Sequence, residues 1–117
     1  MLDQIKAADG VFCPNESTTF GMLLALRRLG LSGKVKFIGF DSSEKLVSAL
    51  RVGDIDGLVV QDPMRMGYLA VKTMVEHLKG QPVERRIDTG ARLVSRATMD
   101  QPEARELLSP DLSRWLP

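Results

Sequence analysis

A chain of 117 residues has material for one modest hydrophobic core, and 44% apolar content is ordinary for a globular domain. A formal net charge of +1 gives no reason to expect nucleic acid or an anionic membrane surface as a partner. The only clustered basic residues, Arg27-Arg28 and Arg85-Arg86, read as solvated faces.

Leu2 to Ala8 reads as the end of a helix, broken by Gly10. "GVFCP" (Gly10 to Pro14) is a short apolar strand. Asn15 to Ser17 supply N-cap candidates, and Phe20, Leu23, Leu24, Leu26 and Leu29 then follow a helical period up to Gly30. "KVKFIGF" (Lys34 to Phe40) has the β-branched and aromatic content of a second strand. Asp41-Ser42-Ser43 should cap a short helix whose inward face is Leu46, Val47 and Leu50, with Gly53 as its stop.

"GLVV" (Gly57 to Val60) is the third strand. Asp62 at the N-cap with Pro63 at the first helical position is a well-matched start signal. The helix that follows is expected to bury Met64, Tyr68, Val71, Val75 and Leu78 on one stripe, and to end at Gly80 before Pro82. On the same reasoning Met64, Met66 and Met74 are expected in or near the core rather than as cofactor ligands. "RRIDTGARLVSRATM" gives one or two modest strands, and the tail from Pro102 a short helix and a partly apolar end at Leu112, Trp115 and Leu116.

Strand and helix alternating three times is the rhythm of a parallel sheet covered by helices, a Rossmann-like or flavodoxin-like α/β fold, here in a single domain over residues 1–117. Ligands of such sheets bind beyond the carboxyl ends of the strands. The three strand ends lead into Asn15, into Phe40-Asp41 and into Gln61, which puts a polar side chain at the same edge each time. Asn and Gln offer both donors and an acceptor, and Asp accepts only. An aromatic face beside a carboxylate suits a ligand with hydroxyls on its rim and C–H groups on its face, as a sugar has. The plainer account is that Asn15 and Asp41 simply cap their helices.

No motif for catalysis stands in the chain: no GxSxG elbow, Walker-type loop, HExxH or paired cysteines. One cysteine excludes an internal disulfide, and with the single histidine, His77, far along the chain, Cys13 reads as a small buried hydrophobe. No cofactor is expected. The N-terminus lacks the apolar core of a signal peptide, and no segment is long enough to span a bilayer.

The stretch from "GVFCPNESTTFGMLLALRRLGLSGKVKFIGFDSS" through "GDIDGLVVQDPMRMGYLAVKTMVEHLKGQPV" closely resembles the second half of type 1 periplasmic sugar-binding proteins. These are the ribose-binding-protein-like solute receptors of ABC transporters. The resemblance runs from Ala7 to about Glu106 and is carried by the "PNE" turn, "VKFIGFDSS", "GDIDGLVVQDP" and "TGARLVSRATMD". It implies that Asn15, Asp41 and Gln61 hydrogen-bond the hydroxyls of a monosaccharide such as ribose, and that Phe40 lines the pocket. The family often has Asn-Asp where Asn15-Glu16 stands, so position 16 carries no implied contact. It implies a periplasmic or extracytoplasmic location and a membrane permease as partner for the full-length receptor. Family members hold ligand between two lobes, so this chain is expected to be a C-terminal or truncated portion, with the first lobe and the secretion signal absent. The strand ending at Gln61 would lead into a hinge, and the 64–79 helix, without its partner lobe, is expected to pair with a second copy in a homodimer.

LacI-type transcription regulators share this effector-binding fold, so an effector-binding and dimerising core is the alternative reading. A stand-alone flavodoxin-like enzyme or signalling domain is weaker, for want of a catalytic motif.

Overall fold

The structure is a computed structural model in which residues 2–113 are described. The expected apolar end at Trp115 and Leu116 lies outside them. The chain divides into two compact units, Met1–Val60 with Arg92–Pro117, and Gln61–Ala91.

The first unit is built on a four-stranded sheet in the order β1-β2-β3-β4. Its elements in chain order are α1 (Leu2–Lys6), β1 (Gly10–Phe12), α2 (Glu16–Arg28), β2 (Lys36–Phe40), α3 (Glu44–Val52), β3 (Gly57–Val60), β4 (Arg92–Ser95) and α5 (Pro102–Leu108). The helix α4 (Pro63–Leu78) falls in the second unit. β1, β2 and β3 run parallel, with Phe12 opposite Ile38 and Phe40 opposite Val59. β4 is antiparallel to β3, pairing Val60 with Arg92 and Gly57 with Ser95. The sheet is therefore mixed: the strand–helix rhythm marks its parallel part, and β4, which follows no crossover helix of the first unit, closes it in the opposite sense.

β3 is the most apolar strand because both its faces are covered. Leu58 and Val60 are buried, and Gly57 lets Ile38 and Leu93 close over it. β2 alternates instead, with Phe37 and Gly39 buried and Lys36 exposed. It begins at Lys36 rather than Lys34, because Lys34 and Val35 are held in a turn by the carbonyl of Leu31.

α2 lays Thr19, Leu23 and Leu26 on the sheet at helical spacing, and α3 lays Leu46, Ala49 and Leu50 there. With Phe37, Ile55, Leu58, Val60, Val94, Met99 and Ala104 the apolar side chains among these form one continuous core. Cys13 belongs to it, and burial pushes its thiol pKa up, a hydrogen bond with Thr18 opposing in part. Gly53 ends α3 at φ 88°, a left-handed cap that a side chain would strain.

In the second unit, Asp62 caps α4 through a 2.9 Å bond from the Arg65 N–H, with Pro63 in the first turn, as the sequence predicts. The expected burial of the α4 stripe is not found. Tyr68, Val71 and Leu78 are 67%, 67% and 76% exposed, and Met64 and Val75 are also exposed. Met66 and Met74 are exposed as well, so these methionines are not core residues. The apolar period is present, but a stripe needs a facing surface as well as a period, and periodicity does not supply one.

Candidate functional site

The two edges of the parallel sheet carry different chemistry. At the amino edge, the acids of the "GDIDG" turn are structural ties. Asp54 accepts from Arg27 Nε at 2.9 Å and from the hydroxyl of Ser32. Those bonds, Ser32 first and Arg27 second, hold its carboxyl below the usual carboxylate range. Asp56 accepts from Lys36 Nζ and from the Phe37 N–H, both at 2.8 Å. Burial alone would raise its pKa, but these bonds outweigh it and the net shift is downward. The charges in this motif therefore fasten β2 to β3 and α2 to the α3–β3 turn.

In the first unit, the carboxyl edge holds three of the four residues singled out from sequence. Asn15 is the N-cap of α2, its backbone extended at φ −159° and its Oδ1 accepting from the Thr18 N–H at 2.9 Å and the Thr18 hydroxyl at 3.0 Å. The capping account is thus correct for Asn15, although the cap uses only its oxygen. Asn15 is exposed, and its amide nitrogen makes no hydrogen bond among the described residues.

Asp41 does not cap α3. The N-cap of that helix is Ser43, which makes no side-chain capping bond. Asp41 instead extends the β2–β3 ladder by one bond, its N–H donating to the Val59 carbonyl at 2.8 Å. Its backbone then turns over at φ 66°, the one positive φ outside glycine among the described residues. Asp tolerates the left-handed region better than most residues, and the turn ends the strand abruptly at the half-buried Phe40-Asp41 pair. Gln61 follows Val60 directly, at the carboxyl end of β3, and opens the second unit. Its place is set by chain connectivity, two residues beyond the carbonyl that holds Asp41.

Sequence reasoning passed over Thr19. This residue is fully buried, and its hydroxyl donates to the Asn15 carbonyl at 2.7 Å while accepting from the Phe40 N–H at 3.0 Å. It joins the first turn of α2 to the last residue of β2, and so ties Asn15 to Phe40. The only available hint was a hydroxyl residue four positions before Leu23, on the inward face of an apolar helix. Gly39 makes the contact fit, because a Cβ there would collide with the Thr19 methyl.

A groove of about 620 Å³ opens beside this edge, between the first turns of α2 and α3. Glu16, Ser17, Phe20, Ser43, Glu44 and Lys45 line it, and Lys45 Nζ sits 5.0 Å from the centre of the Phe20 ring. A second groove, about 530 Å³ and largely apolar, lies within the second unit between α4 and the segment from Val83 to Thr89. None of the four singled-out residues lines either groove. No group of three His, Cys, Asp or Glu side chains among the described residues is placed to hold a metal ion, and no described helix is long and apolar enough to cross a membrane.

An α/β sheet with a polar carboxyl edge is the architecture of a ligand-binding lobe. Residues 1–82 match the periplasmic binding protein domain, and the chain belongs to that family. It is similar to a ribose import binding protein from Haemophilus influenzae, 31% identical over 85 residues, which are 73% of this chain and 28% of that protein. Among solved structures it is similar to a carbohydrate transporter solute binding protein from Agrobacterium radiobacter in complex with D-arabinose. The TM-score there is 0.84 at 45% identity, over 92% of this chain and 38% of that one. An ABC transporter solute binding protein from Agrobacterium vitis with bound D-fucose gives a TM-score of 0.81 at 37% identity, over 86% of this chain and 34% of that one. The chain thus spans about a third of the length of these relatives. Its mixed four-stranded sheet with flanking helices is the lobe fold of the family.

Proposed function

We propose that this chain is part of the sugar-recognition apparatus of an extracytoplasmic ABC-transporter receptor, acting by binding and not by catalysis. Asn15, Phe40, Asp41 and Gln61 are the residues assigned to the ligand. The observation that carries this reading is the end of β2. Asp41 is held by the Val59 carbonyl and turned to φ 66°, beside an aromatic ring and one strand away from the Asn15 cap. A backbone outlier at a strand's carboxyl end is where function concentrates in such sheets. The relatives whose structures hold D-arabinose and D-fucose support a monosaccharide as the ligand class, and the ribose import relative supports a pentose.

On this reading the 117 residues form one domain-sized portion of a two-lobed receptor that delivers its sugar to a membrane permease. Ligand contacts are then shared with residues outside this chain, and the chain by itself binds sugar weakly, in the millimolar range. The exposed α4 stripe supports a homodimer through the 64–79 helix as part of this reading, since apolar patches of this kind mark association surfaces.

The test is titration of D-ribose, D-arabinose and D-fucose into the labelled chain, followed by amide NMR. Asp41→Gly is the probe, because glycine keeps the left-handed turn while removing the carboxylate. A charge-assisted hydrogen bond of about 1.5–3 kcal/mol corresponds to a loss of about ten- to a hundredfold in affinity. Equal affinity in Asp41→Gly would remove Asp41 from the site, and no saturable shift with any of the three sugars would end the sugar reading.

A further inference from the structure

In a parallel ladder, successive N–H groups of a strand point alternately to its two neighbours. The Asp41 N–H goes to Val59 of β3, so the Phe40 N–H points to the β1 side. There β1 has already ended: its last ladder bond runs from the Cys13 N–H to the Ile38 carbonyl, and the chain turns through Pro14 into α2. The Phe40 amide would be an orphan donor. The hydroxyl of Thr19 meets it at 3.0 Å and hands its own proton to the Asn15 carbonyl at 2.7 Å. A side chain from a helix thus takes the place of a missing strand residue, at the one point where β2 leaves the sheet.

From this geometry we infer that Thr19 is a positioning residue for the sugar site, setting the Asn15 cap and the Phe40-Asp41 strand end at a fixed separation. The inference rests on the proposed sugar reading and adds to it a residue that touches no ligand. Three observations carry it. Thr19 is fully buried, so it does not act by contact with a ligand from solvent. Its two bonds end on two of the four proposed ligand residues, which lie on different elements. Gly39 leaves room for the Thr19 side chain, with Thr19 Oγ1 only 3.0 Å from where a Cβ would stand. Loss of the hydroxyl affects the two ends differently. The Asn15 carbonyl keeps its helical bond from the Thr19 N–H at 3.0 Å, whereas the Phe40 N–H loses its partner. The strand end is therefore the part that is set free.

The experiment compares Thr19→Val, which keeps the shape and removes the hydroxyl, with Thr19→Ser, which keeps the hydroxyl. Sugar titrations with the same D-ribose, D-arabinose and D-fucose panel are run on the folded chain, with amide hydrogen exchange measured in parallel. Thr19→Val should bind about five- to tenfold more weakly, because a strand end set free has to be ordered again when sugar binds. Its Phe40 and Asp41 amides should exchange faster, while Leu58 in the sheet centre stays protected. Thr19→Ser should keep most of the affinity. A residue that serves stability alone would lower the unfolding midpoint without changing the affinity of the molecules that remain folded. Parent-like affinity in Thr19→Val overturns this inference and leaves the sugar reading standing. So does a five- to tenfold loss in Thr19→Ser, an outcome that also serves if the valine variant does not fold. Should the parent chain bind none of the sugars, the reading and the inference fall together.

Discussion

Substituting Gly39 by alanine places one methyl group where the structure has no room for it. A Cβ at this position would lie within the van der Waals envelope of the Thr19 methyl and 3.0 Å from both Thr19 Oγ1 and Leu58 Cδ2. Thr19 and Leu58 are both fully buried, so neither side chain has open space to swing into. Forcing a methyl into a packed core costs about 1–3 kcal/mol. Displacing Thr19 also breaks its bond to the Phe40 N–H, adding about 1–3 kcal/mol for a buried donor without a partner. A total of about 2–6 kcal/mol is a large part of the roughly 5–15 kcal/mol that holds a domain of this size together. The sign is informative, because Gly→Ala at an unstrained, open position stabilises by about 0.4–1 kcal/mol through the unfolded chain. Urea unfolding followed by far-ultraviolet circular dichroism would give the difference. Thr19→Ser removes the colliding methyl, so the double variant Gly39→Ala with Thr19→Ser should recover about 1–2 kcal/mol relative to the sum of the single changes. An alanine variant within about 0.5 kcal/mol of the parent, or a strictly additive pair, would refute the close-packing account of this edge.

Two further outcomes are expected. The folded-state pKa of Asp54 is depressed by Ser32 and Arg27, so its contribution is full above the unfolded carboxylate value and fades as pH falls through the folded one. Asp54→Asn should therefore cost about 1 kcal/mol at neutral pH, discounted for the half-exposed Arg27, and the gap to the parent should begin to narrow below about pH 4. Urea midpoints at pH 7 and pH 3 would show this, and a gap independent of pH would contradict it. Light scattering over a dilution series should show the parent chain passing from dimer to monomer, with Val71→Glu monomeric throughout. A parent that stays monomeric at high concentration, with the α4 amides protected from exchange, would rule out the homodimer.

How legible the chain was depended on the range of the interactions involved. The strand–helix rhythm, the β3 run "GLVV", the Asp62-Pro63 helix start and the Gly53 stop are local patterns, and the structure has all of them. The direction of β4 was not expected, because a run such as "RLVS" looks the same in either sense and its sense is set by the strand it meets. Leu24 follows the helical period of α2 and is still 49% exposed, while Thr19, off the apolar pattern, is fully buried. Hydrophobicity marks which face turns inward, but a buried hydroxyl is understood only when its partner, here an orphan N–H on another element, is known. The stripe on α4 is the sharpest case. Its period was plain, its covering surface was not, and exposed side chains took the place of the expected core.

Within the sheet, Val60 and Arg92 face each other as a ladder pair, although 61–91 lies between them in the chain. The chain therefore leaves the first unit and re-enters it at adjacent points of the same two strands. Topologically, the intervening segment is an excursion with side-by-side ends, of the kind that can be lengthened, exchanged or cut out without rethreading the remainder. Antiparallel neighbours such as β3 and β4 need only a two-residue turn to connect them. An Asn-Gly link from Val60 to Arg92 would leave a shorter, uninterrupted chain with β1 to β4, α1 to α3 and α5 in their present order. Loop-closure entropy favours that shorter connection, because the ends of β3 and β4 would no longer have to find each other across a segment of some thirty residues. In the natural chain, a modest entropic cost of closure is accepted so that one sheet can carry a second body between two neighbouring strands.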